Sequence, residues 1–151
     1  MNYLEIVKDY LSKSTEELMD EQQTCLYSLK ASLSKLSENM QFDPSKAYFI
    51  YIMSVVGCDL VCDEKEYELL HKFINPSVTR DMVNNYLPEL LSSEKTKSFI
   101  QELVFSVKAM SEIAYEEMIK IALAFLCANK DFSKTKEEYI KSIMIETSVM
   151  N

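Results

Sequence analysis

Very little in this chain breaks a helix. Its 151 residues include one glycine, Gly57, and three prolines, Pro44, Pro76 and Pro88. Strand-rich folds need turn residues at short, regular intervals, so this scarcity excludes a sandwich or a barrel. Helices joined by short polar loops do not need them, and the composition predicts an all-α protein. Arginine is almost as rare: Arg80 is the sole one among sixteen basic residues, set against twenty-four acidic ones for a net charge of −8. No basic run exists, and an acidic surface repels nucleic acid and anionic lipid alike. Nucleic-acid binding is excluded on that ground; a protein partner with a basic surface, or a cation, fits the charge better. His71 is the single histidine and no glycine-rich phosphate or oxyanion loop is present, so no catalytic set of nucleophile, base and donor can be assembled. We expect a protein that is not an enzyme.

No leader is expected either. The N-terminal MNYLEIVKDY carries acids where a signal peptide carries a basic end and an apolar core. The most apolar run, Ala47 to Val56, is about half of what a membrane-spanning helix needs. These features predict a cytoplasmic protein without direct membrane insertion, in which Cys25, Cys58, Cys62 and Cys127 are buried, reduced thiols.

What is present is helical periodicity over nearly the whole chain. Asn2 and Glu5 form a capping box for a short amphipathic helix over 3–13. Ser14 and Glu17 form a second, opening a long helix over 15–40 with Leu18, Cys25, Leu29, Leu33, Leu36 and Met40 inward. Asp43-Pro44 starts a helix over 44–58 that is apolar all round and belongs at the centre of the domain. Further helices are predicted over 64–74, from a Ser77 cap to Leu87 with a break at Pro88, over 94–110, over 113–128 and over 134–147, with Tyr139, Ile140, Ile143 and Met144 inward in the last. The domain reading is a short N-terminal helix, 1–13, packed on one helical bundle, 14–151, with about eight helices in all.

The stretch that most resembles a site is VVGCDLVCDEKEYELL, Val55 to Leu70. A calcium loop starting at Asp59 would put Val61 at its second ligand position and Leu70 at its last, where a glutamate is needed. Zinc would need a second ligand pair beside Cys58 and Cys62, and neighbouring carboxylates oppose a reactive thiol. Asp63 and Glu66, in contrast, have capping-box spacing. The expectation is a helix cap, with a weak divalent-cation site on Asp59, Asp63 and Glu66 as the alternative. His71, at the edge of an apolar stripe, reads as a packing residue.

Setting each residue against the one seventy positions later pairs two helix-loop-helix units. Ile52 meets Ala122, Val55-Val56 meets Phe125-Leu126, Asp59 meets Asn129, Cys62-Asp63 meets Phe132-Ser133, and Leu70 meets Ile140. Loop length and cap position match as well as the apolar pattern does. This arrangement resembles the TerB-like domain of tellurite-resistance proteins, found also at the N-terminus of a DnaJ-type co-chaperone. That family has two pseudo-symmetric units, each with an Ala-Asp-Gly-x-apolar-x-x-x-Glu signature. Asp59, Cys62 and Glu66 match it in the first unit, Asn129 and Phe132 in the second. Leu60 and Lys130 stand where the family has glycine, and Lys136 where it has the second glutamate. The resemblance implies an all-helical interaction protein in stress response or membrane-complex assembly, with the acidic loop as a suggested cation site. An acidic immunity or inhibitor protein that masks a basic partner is the rival reading from the charge.

Overall fold

The structure, a computed structural model, describes residues 2–58, 62–73 and 79–149, with the side chains of 72–73, 86–87, 90–91 and 145–149 outside that description. Eight helices follow one another: α1 (Tyr3–Leu11), α2 (Thr15–Met40), α3 (Pro44–Val56), α4 (Glu64–Phe73), α5 (Arg80–Leu91), α6 (Glu94–Met110), α7 (Glu112–Leu126) and α8 (Lys134–Val149). No strand occurs among the described residues. The all-α bundle expected from the scarcity of glycine and proline is the observed architecture.

The caps sit where the sequence places them. Asn2 accepts from the Leu4 amide, the Ser14–Glu17 box closes in both directions, and Asp43 accepts from the Ser45 and Lys46 amides ahead of Pro44 at the start of α3. Each satisfies amides that the first turn of a helix otherwise leaves without partners. Ser111 performs two tasks. Its amide closes α6 on Val107 and its hydroxyl caps α7 at Ala114.

α7 is the centre of the bundle. It lies along α2 in the most extensive helix pairing and also touches α1, α3, α4, α6 and α8. Every residue from Met118 to Ala128 except Lys120 is buried, as are most of α3 and the inner stripe of α2. Ile52 and Ala122, paired by the repeat, are both fully buried. α1 packs on α7 through Val7 and Tyr10, and the Tyr10 hydroxyl accepts from Gln22 Nε2 at 2.9 Å.

Three local expectations change. Pro88 does not break its helix: α5 runs through it to Leu91. Val83 is fully buried on the same helix, which packs against α3 and α6, so tertiary contacts outweigh a proline's interior cost of about 3 kcal/mol. The described cap of α5 is Thr79, whose hydroxyl accepts from the Met82 amide at 3.2 Å; the expected Ser77 cap lies outside the described residues. Met40, expected inward, is exposed, because Gln41 turns left-handed immediately after it and ends the helix before that side chain meets the core. Among the described residues, no helix is long and apolar enough to cross a membrane.

Candidate functional site

The two loops of the repeat, one after α3 and one after α7, meet at the ends of α4 and α8. Among the described residues, their main-chain hydrogen bonds match where α3 and α7 end. The Gly57 amide reaches Met53 and Val55 oxygens, and the Cys127 amide reaches Leu123 and Phe125 oxygens, each at the equivalent place. Gly57 has φ −93°, the same value as Cys127, so the chain's glycine uses no conformation closed to other residues. Lys130 does: its φ of 66° is left-handed, a turn made there with a side chain that has to tolerate it.

Asp63 caps α4 as expected. Its Oδ1 accepts from the Glu66 amide at 2.9 Å, and its own amide donates to Glu66 Oε1 at 3.3 Å, closing a capping box. Ser133 caps α8 in the same register, accepting from the Lys136 amide at 3.3 Å. The third residues of the two helices, Glu66 and Lys136, are thus equivalent. Both are buried, at 0% and 1% exposure.

Opposite charges at equivalent buried positions give the two loops different chemistry. Lys136 Nζ donates to the Leu126 oxygen at 2.9 Å, the Asp131 oxygen at 3.0 Å and Asn129 Oδ1 at 3.2 Å. An ammonium has three N–H donors, and here all three meet oxygens of the loop. Lys136 therefore holds the second loop from inside, as a tethered cation. Asn129 carries the link onward, its Nδ2 donating to Asp63 Oδ2 at 2.6 Å across the two units. Glu66 has no comparable cage, and its Oε2 is buried without a hydrogen-bond partner. Burial foremost, then the hydrogen bond and negative charge of Asp63, push its carboxyl up to about 9, against the pull of Lys136. At neutral pH it is a protonated acid.

Of the three candidate cation ligands, Asp59 lies outside the described residues. The other two are brought together, but as a cap and a protonated acid, the latter a poor ligand for a divalent ion. Among the described residues no group of three or more Asp, Glu, His or Cys could hold a metal. Arg80 and Asn84 of α5 brace the loop, with Arg80 Nε donating to the Cys62 oxygen and Asn84 accepting from its amide. The sole arginine thus supports main chain. His71 stacks obliquely on Tyr67 with ring centroids 5.6 Å apart. Burial pushes the Cys127 thiol up to about 12, away from reactivity.

A second region is less visible in sequence. Asn2, Glu5, Ile6 and Asp9 of the N-terminus, Glu21 and Gln22 of α2, and Glu116 and Lys120 of α7 line two adjoining hollows of about 400 and 370 Å³ that share Ile6, Asp9 and Lys120. Glu5, Asp9, Glu21 and Glu116 line these hollows together with Lys120, Ile6 and Tyr10. Lys13 pairs with Asp9 at 2.9 Å and with Glu21, fixing the rim. Glu116 and Lys120 read in sequence as the wet face of a helix; the fold sets that face against α1. Comparison with protein-family models, with curated proteins and with solved structures finds no match to this chain.

Proposed function

We propose that this protein is a non-enzymatic interaction module of TerB-like type that receives a basic, partly apolar segment of a partner protein in the acidic groove between α1, α2 and α7. The observation that carries the reading is the groove itself, whose lining combines Glu5, Asp9, Glu21 and Glu116 with the apolar surface of Ile6 and Tyr10, against the single cation Lys120. Carboxylates around an apolar trough suit the lysines and aliphatic face of an amphipathic segment. The net charge of −8 adds long-range attraction for such a partner. The matched caps and loops of the two units support the TerB-like assignment, and with it a role in stress response or in assembling a membrane-associated complex. The second loop closes on the lysine of its own chain, which argues for a scaffold there over an exchangeable cation.

A labelled amphipathic lysine-leucine peptide tests the proposal by fluorescence anisotropy. Binding should weaken steadily as salt rises, and Glu5→Lys with Glu116→Lys should abolish it while the circular dichroism stays unchanged. Equal binding by parent and variant would refute it.

A further inference from the structure

On another side of the bundle, α3, α6 and α8 border a pocket of about 500 Å³ lined by Ser54 of α3, Cys58 just beyond it, Ile100 and Val104 of α6, and Tyr139 and Ile143 of α8, among others. That volume falls within the usual range of small-ligand sites, about 300–1,000 Å³. We infer that it binds a single-chain aliphatic carboxylate, with the hydrocarbon inside and the carboxylate at the first turns of α6.

The hydrogen-bond inventory sets this orientation. Ser54 Oγ donates to the Tyr51 oxygen at 2.8 Å, so the 2.9 Å contact between Ser54 Oγ and Tyr139 OH takes the tyrosine's proton. Ser142 Oγ donates to the Tyr139 oxygen at 2.9 Å. These hydroxyls have no proton left to offer, and a carboxylate buried against them would be unsatisfied. Apart from the weakly donating Cys58 thiol, the remaining side-chain donors of the lining are Thr96, Lys97 and Gln101, toward the amino end of α6. Lys97 is exposed there, 3.8 Å from the equally exposed Glu94, a contact that leaves its ammonium open to a second anion. The amino end of α6 adds its own preference for negative charge. Buried Ile100, Val104 and Ile143 supply the apolar wall of the pocket, against which an alkyl chain leaves water. The negative surface elsewhere is screened beyond about 8 Å at physiological salt, so the local lysine decides the sign of the headgroup.

Isothermal titration with dodecanoate, kept below its micelle concentration at about 0.15 M salt, tests the inference, with dodecanol, dodecyltrimethylammonium and butanoate as comparisons. Dodecanoate should bind the parent with a submillimolar Kd, and the other three more weakly. Lys97→Gln, at an exposed position that does not endanger folding, should weaken dodecanoate about tenfold, the loss of one charge-assisted hydrogen bond. It should leave dodecanol unaffected, and Lys97→Arg should retain binding. Failure of dodecanoate to bind, equal binding by the cationic or neutral chain, or indifference to Lys97→Gln would each overturn the proposal. So would dodecanoate affinity that falls as protein concentration rises, which would mean that a second copy fills the pocket.

Discussion

Glu66→Gln tests the buried carboxyl most directly, because its effect should grow with pH and carry a definite sign. In the unfolded chain Glu66 ionises near its ordinary value of 4.5; in the fold its carboxyl stays protonated up to about 9. Below 4.5 both states hold the proton and stability is unaffected by it. As pH rises above that, the unfolded chain gains a charge that the folded one cannot, and stability falls by about 1.4 kcal/mol per pH unit until the folded carboxyl also ionises. At pH 7 the parent carries a penalty on the order of 3 kcal/mol from this one group. Glutamine has the same shape, accepts from the Asp63 amide as Glu66 Oε1 does, and has no proton to lose. The variant should therefore match the parent within about 1 kcal/mol at pH 4 and exceed it increasingly through pH 8. Urea denaturation followed by circular dichroism across that range gives both curves. Parallel pH profiles would show that Glu66 is ionised in the fold and would remove the contrast drawn between the two loops.

Lys136→Met keeps the buried volume but strips three loop oxygens of their donor; offset in part by relief from burying a charge, the loss should be about 2–4 kcal/mol in denaturant unfolding. Asp63→Ser, nearly neutral if the residue were only a cap, should cost about 1 kcal/mol because serine cannot also accept from Asn129. That loss should vanish in an Asn129→Ala background, and a persistent loss there would mean that the bridge across the units contributes nothing. Lys130→Gly should raise the melting temperature, worth up to about 1 kcal/mol, because the left-handed φ of 66° suits glycine better than lysine; a fall would show that the Lys130 side chain makes an offsetting contact.

Local chemistry was largely legible along the chain. The caps at Asn2, Ser14, Asp43 and Asp63 need only a short polar side chain within reach of amides two or three residues on, and that reach is set by helix geometry. The repeat was legible because loop length and cap register are sequence distances, and the same main-chain bonds recur seventy positions apart. The burial of α3 followed from a helix with no polar face. Tertiary structure decided the rest. Sequence marks Lys136 only as standing where a glutamate is expected; the path of the second loop puts three oxygens around its ammonium, and only the packing of α4 removes Glu66 from water. Pro88 reads as a helix end, yet contacts from α3 and α6 keep α5 continuous. Glu116 and Lys120 read as a wet face until α1 closes one side of it. Except at Lys136, whose three partners lie in the loop just before it, the deciding contact joins residues remote in the chain and overrides the local preference by which a sequence is read.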